Sequence, residues 1–298
     1  MIRSATVRLV PALLALCAVG SAVELDPQQA FCPLAVNGKP LPEAFVGIDA
    51  ALKSKALDDN RVIQNDAALG LRGTGRYMGA GLTIDTDWAV GQDRDISRPG
   101  SFTSAGEWLR LSATLDWAIE IRDPRKLGVP LLQIIPHFNV TTYPNQRDNN
   151  TGAAGENHHL KDSQRWLGVD VWWCTPIEGM EIGAGIEQNA SGQWRATRGA
   201  FGAREFIQYA AIDLAMWQKL TFSDAEYREL VSGLTRGGVN ALELGARASM
   251  ATYKKELYAF AELNLSYWTS KTARSNMRAG GQDGSNVVMS FGLTYFPD

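Results

Sequence analysis

The stretch Glu107–Ile121, EWLRLSATLDWAIEI, constrains the fold more than any other run in the chain. Its odd positions are Leu109, Leu111, Ala113, Leu115, Trp117, Ile119 and Ile121; its even positions are Trp108, Arg110, Ser112, Thr114, Asp116, Ala118 and Glu120. Successive side chains on a strand project to opposite faces, so one face here is wholly apolar and the other mostly polar. Strands in soluble domains usually run about 5–6 residues, whereas a tilted strand of about 9–11 residues crosses a bilayer. The run therefore predicts a transmembrane β-strand. A soluble sandwich alternates in the same way over shorter strands, so the rest of the chain has to decide.

The pattern recurs. Alternating runs occupy Ala44–Leu52, Asp66–Gly75, Tyr77–Val90, Val129–Thr142, Ser163–Cys174, Met180–Asn189, Arg204–Trp217, Ala241–Tyr253, Glu256–Thr269 and Asn286–Phe296, which makes eleven strands with the first. In Glu256–Thr269, Leu257, Ala259, Ala261, Leu263 and Leu265 alternate with Tyr258, Phe260, Glu262 and Asn264. Pro136 is awkward in Val129–Thr142, because proline is tolerated in a sheet mainly at edges and bulges. Long polar loops at Gly91–Gly106, Tyr143–Asp162, Ala190–Ala203 and Ser270–Ser285 alternate with short turns at Arg122–Gly128, Thr175–Gly179 and Lys254–Lys255. Bacterial barrels have an even strand number, long external loops and short periplasmic turns. The alternation breaks at Gln218–Val239. A twelfth strand around Phe222–Leu230 would restore it, although Asp224–Leu234 also reads as a helical turn. The expected fold is all-β, an antiparallel transmembrane β-barrel of about 12 strands over residues 44–298.

Residues 1–22 have the layout of a secretory signal peptide: Arg3 and Arg8, an apolar run Leu9–Val19, then Gly20 and Ala22 ahead of a cleavage point. Leu16 before Cys17 lacks the small residue that a lipoprotein signal wants. Residues 23–43, with Pro27, Pro33, Pro40 and Pro42, read as an irregular periplasmic lead-in or a small plug. Removing residues 1–22 takes away two arginines and no acid, leaving 27 basic against 32 acidic groups, a formal charge of −5. No basic stripe appears, which argues against a nucleic-acid partner. Cys32 and Cys174 are candidates for a disulfide, since an exported chain meets an oxidising compartment.

The segment Phe45–Val90 resembles the first hairpins of the TorF-like porins. The likeness rests on the short strand Gly47–Leu52, on Lys53-Ser54-Lys55, and on the hairpin running from Gly70 through Gly79 and Gly81 to Trp88; Lys55-Ala56 stands where that family often has Arg-Gly. The resemblance implies a small outer-membrane barrel. Asn286–Phe296 is similar to the aromatic-ending last strand that the barrel insertion machinery reads. Trp88, Trp108, Trp173, Trp217 and Trp268 lie near strand ends, where girdles at the two membrane interfaces would put them.

If the apolar faces meet lipid, the lumen is lined by Arg110, Asp116, Glu120, Gln133, His137, Asn139, Asp170, Glu181, Glu187, Arg247, Glu256 and Glu262. Such a ring would set the field in an aqueous pore, and its acid excess predicts a mild preference for cations. The expected function is passive diffusion of small polar solutes through the cell outer membrane, with lipid as the surrounding partner and no cofactor. A non-conducting structural barrel and an exported soluble sandwich or ligand-binding barrel are the alternatives. Catalysis is not expected. The three histidines are His137 on a strand and His158 with His159 in a loop, and no GxSxG, HExxH, P-loop or dinucleotide motif occurs.

Overall fold

The computed structural model describes residues 44–58, 61–64, 66–91, 105–122, 130–143, 164–177, 179–191, 195–253, 256–279 and 283–296. The expected signal peptide and lead-in lie outside these residues, as do Cys32, His158 and His159.

The chain starts with β1 (Ala44–Lys53), then a small hairpin of β2 (Ala56–Asp58) and β3 (Arg61–Gln64), then β4 (Ala68–Tyr77) and β5 (Ala80–Ala89). β6 (Trp108–Trp117), β7 (Ile119–Arg122), β8 (Pro130–Thr142), β9 (Gln164–Cys174) and β10 (Met180–Asn189) follow. After β11 (Thr197–Tyr209) and β12 (Ile212–Ser223), helix α1 (Ala225–Ser232) leads to β13 (Gly238–Ala251) and β14 (Leu257–Trp268). Helix α2 (Lys271–Ala279) then leads to β15 (Ser285–Tyr295). Outside the β2–β3 hairpin, the strands form one antiparallel sheet. Its last strand returns to its first, with Ile48 opposite Tyr295 and Lys53 opposite Ser290. β6 and β7 are two segments of one strand, both paired with β8, so the closed barrel has 12 strands. A sandwich of two packed sheets is therefore overturned.

The break within Glu107–Ile121 accounts for Pro136. The β6–β8 ladder ends at Asp116 opposite His137, and the β7–β8 ladder resumes at Ile119 opposite Ile134. Ala118 between them donates its N–H to the Gly79 carbonyl at 2.8 Å instead. Pro136 thus lies opposite an interruption, where a missing N–H is tolerated.

Two stretches differ from the sequence expectation, the shorter being Lys271–Ala279, which is helical within the expected loop Ser270–Ser285. The alternation predicts one strand at Arg204–Trp217, after a loop at Ala190–Ala203 and before a twelfth strand around Phe222–Leu230. Instead, β11 and β12 reverse at Ala210-Ala211, with Tyr209 opposite Ile212, and Ala225–Ser232 is helical. The turn escapes notice because it contains no glycine, proline or asparagine; Ala210 adopts φ 55° without them. The β4–β5 turn is conventional by comparison, with Met78 and Gly79 at φ 48° and 89° as a primed hairpin turn requires. The strand ends that flank the long connections lie at one end of the barrel and those that flank the short turns at the other.

The barrel inverts the usual arrangement of a soluble sheet. Ile48, Leu82, Leu167, Ile186 and Leu263 lie on the exposed outer wall, with Leu115 57% and Phe291 60% accessible. Asp49, Gln133, Asp170 and Arg247 are buried inside. An apolar exterior around a polar interior is the pattern of a barrel that sits in lipid. Trp88 and Trp108 meet edge to face at 5.8 Å at the long-connection rim, while Trp117, Trp173, Tyr209 and Tyr295 are exposed at the short-turn rim. Trp217 and Trp268 depart from the girdle expectation, because both line the interior. Leu109 also departs from its expected outward face. An irregularity opposite Asp87 and Trp88 shifts the register and turns Leu109 into a small cluster with Ala56, Ile63, Ala68, Ala89 and Tyr143.

A second cluster closes part of the long-connection end. Asp224 caps α1 by accepting from the Tyr227 N–H at 2.8 Å and the Thr197 N–H at 2.6 Å. Gly233, at φ 66°, ends the helix in the left-handed conformation. Tyr227 and Val231 of α1 pack with Ala273 and Met277 of α2 over Trp166 and Trp268. No helix among the described residues is long and apolar enough to cross a membrane.

Candidate functional site: the lumen

Strand alternation aims every second side chain into the lumen, and the two halves of the lumen differ. Beneath the long connections is a cavity of about 380 Å³. One wall presents Lys53 of β1, Lys55 just beyond it, Arg72 of β4 and Arg110 of β6. Facing them are Arg198, Lys219 and Arg247, interleaved with Glu187, Glu243 and Glu262. Trp217 lies flat on the wall: a Cβ on Gly245 would fall 2.0 Å from its ring, so only glycine admits it.

The charges are organised in pairs. Asp87 accepts from Lys53 Nζ at 2.6 Å and lies 3.0 Å from Arg110 Nη2, while Arg72 Nε donates to Asp85 at 2.7 Å. Three cations thus share two carboxylates, and neither carboxylate lines the cavity; the Asp87 side chain is only 2% exposed. Across the lumen, Lys219 and Glu243 pair at 2.8 Å. At mid-height His137 links Glu187, at 2.9 Å from Nε2, to Asp170, at 3.3 Å from Nδ1, and Arg198 Nε donates to Glu187 at 2.6 Å. Arg247 donates to Thr294 at 2.6 Å, lies 3.4 Å from Asp49, and stacks on Phe260 with 3.6 Å between guanidinium and ring centre.

Toward the short turns the lumen is filled by side chains. Arg204 and Glu181 form a salt bridge, and the Arg204 guanidinium stacks on Trp172 at 4.1 Å. Trp172 lies against Gly183, where a Cβ would come within 2.5 Å of the ring. Ile135 and Gln133 are buried in the same half, and Ile135, an apolar residue at an inward position, packs with Trp172 and Ala118. Arg76 and Asp116 pair at 2.5 Å nearest the turns.

The expected lining residues distribute over these levels. Arg110, Asn139, Glu187, Arg247 and Glu262 line the cavity. Gln133, His137, Asp170 and Glu181 are buried inside, and Asp116 pairs with Arg76. Glu120 lies exposed at the short-turn rim beside Arg122, and Glu256 sits in the turn ahead of β14. Cys174, at an inward register position ending β9, is disulfide-bonded. The sequence reading misses Lys53, Lys55, Arg72, Arg198, Arg204 and Lys219, and with them the acids Asp85, Asp87 and Glu243. The signal for some of them was present, since Gly70, Arg72, Thr74 and Arg76 alternate with Leu69, Leu71, Gly73 and Gly75. With these cations included, the acid excess of the chain does not carry into the cavity. Among the described residues, no group of three histidine, cysteine or acidic side chains is placed to hold a metal ion.

No family model matches the chain, and no curated protein matches it. Solved structures similar to it include the NanC porin, at 10% identity and a TM-score of 0.49 over 84% of this chain and 98% of that one. The KdgM porin gives 9% and 0.43 over 84% and 98%. An outer membrane channel from Pseudomonas putida gives 10% and 0.42 over 92% and 100%.

Proposed function

We propose that the chain is an outer-membrane, porin-like barrel that lets small polar solutes diffuse passively across the membrane. The observation that carries this reading is the closed 12-strand wall, apolar outside and polar inside, around a cavity of about 380 Å³. Eight strands enclose an interior that side chains just fill, so twelve leave room for a solute path. The resemblance of Phe45–Val90 to TorF-like porins agrees with it. Solutes enter from the long-connection end, and the layer of Trp172, Arg204 and Glu181 sets the size limit. That same layer favours a second reading, a barrel closed toward its short turns that serves the envelope without transport.

Single-channel recording of the refolded chain in a planar bilayer separates the two. Diffusion predicts discrete small steps in the wild type and larger ones in Trp172→Ala, which shortens the side chain filling the narrow layer. A folded, inserted barrel with no steps in either protein would establish the closed reading.

A further inference from the structure

We infer that the cavity under the long connections is a binding vestibule for small anions, carboxylated or phosphorylated solutes being the chemistry it fits. This deepens the diffusion reading by naming a solute class. It stands on the placement of charge rather than on a count over the whole chain. Seven cationic and three acidic side chains line the cavity. On the β1–β4–β6 wall the lining charges are Lys53, Lys55, Arg72 and Arg110, all cationic. Their carboxylates Asp85 and Asp87 sit behind them, so a solute in the void meets the N–H donors first. Arg72 and Arg110 carry guanidinium forks, whose geometry suits carboxylate and phosphate oxygens.

The opposite wall completes the site without reversing its sign. Arg198, Lys219 and Arg247 balance Glu187, Glu243 and Glu262 there, so the positive field that a solute meets comes from the four cations that reach the void, whose carboxylates, Asp85, Asp87 and, 3.8 Å from Lys55, Asp283, stay outside the lining. A narrow cleft with low-dielectric walls concentrates such a field and raises the local concentration of oppositely charged solutes. The acid excess of the sequence predicts cation preference; the geometry of this half of the lumen gives the reverse.

Trp217 lines the cavity and reports on it whether or not current flows. The experiment compares quenching of the folded, detergent-solubilised protein by iodide and by caesium, each normalised to free N-acetyltryptophanamide. Trp217→Phe isolates the contribution of that ring. The anion site predicts a Trp217-dependent iodide effect at least about twofold larger than that of caesium at low salt. The preference should shrink near 1 M salt, where the screening length is about 3 Å. Lys55→Glu, outside the buried pairs and with the half-exposed Asp283 3.8 Å from the lysine nitrogen, should lower it. Equal quenching, or stronger quenching by caesium, would overturn the proposal. Channel recordings on the same samples keep the two readings apart: iodide preference without channel steps removes diffusion and leaves the anion site, whereas steps with caesium-favoured quenching do the opposite.

Discussion

Two ion pairs inside this barrel each join a basic side chain to a glutamate, under different conditions. Lys219 and Glu243 meet at 2.8 Å at the cavity, with 21% of each side chain exposed. Arg204 and Glu181 meet in the filled half with 2% and 0% exposed, and the guanidinium is also stacked on Trp172. The first pair keeps its water and gains little beyond what solvent already supplies. The second has lost its water, so each ion depends on the other. The difference separates the two halves of the lumen: the cavity pair is open to solvent, whereas the pair near the short turns is enclosed by its neighbours.

Removing one ion of the filled pair should have the largest effect. Arg204→Met removes the guanidinium that donates to the buried Glu181 carboxylate, and unfolding of the refolded barrel in urea should show a loss of about 3–5 kcal/mol. Adding Glu181→Met should recover most of that loss, because two apolar side chains need no partner. A single variant no weaker than the double would erase the distinction between the halves. Asp224→Ala tests the helical cover of the open half. Loss of the cap should cost about 1 kcal/mol and speed hydrogen exchange in α1, leaving exchange in β9–β11 near the short turns unchanged. The smallest effect belongs to the cavity pair. A double-mutant cycle of Lys219→Met with Glu243→Met should return a coupling of about 0.2–1 kcal/mol, decreasing with added salt. A coupling as large as that of the buried pair would mean that water does not reach Lys219.

The alternation was legible wherever turn chemistry punctuated it. Glu107–Ile121 announces a strand, and its inner and outer faces are as read except at Trp108 and Leu109, where a register shift cannot be seen from one strand alone, and at Glu120, which lies exposed at the rim. Pro136 looked misplaced because its explanation lies on β6 and β7, more than a dozen residues away in sequence. The β11–β12 hairpin was hidden by an Ala-Ala turn whose backbone conformation is imposed by the flanking ladder. The helical reading of Asp224–Leu234 was available from Asp224 at its start and Gly233 near its end. The lumen was less legible than the wall. Inward parity was readable, but which side chains reach a void and which lock together depends on glycines of adjacent strands, Gly183 beneath Trp172 and Gly245 beneath Trp217.

Closure of the sheet between β1 and β15 has a consequence for how the molecule forms. The partners Ile48 and Tyr295 are almost the full length of the described chain apart, and contacts of such separation form slowly because the intervening chain must be ordered first. Until they meet, both strands offer unpaired edges to any neighbouring chain. Among the described residues most large apolar side chains are on the outer wall, and the buried apolar clusters are small, so little apolar packing holds an earlier intermediate together. The last seam is therefore the committed step of assembly, and an incomplete barrel is a sticky, two-edged ribbon rather than a smaller stable protein.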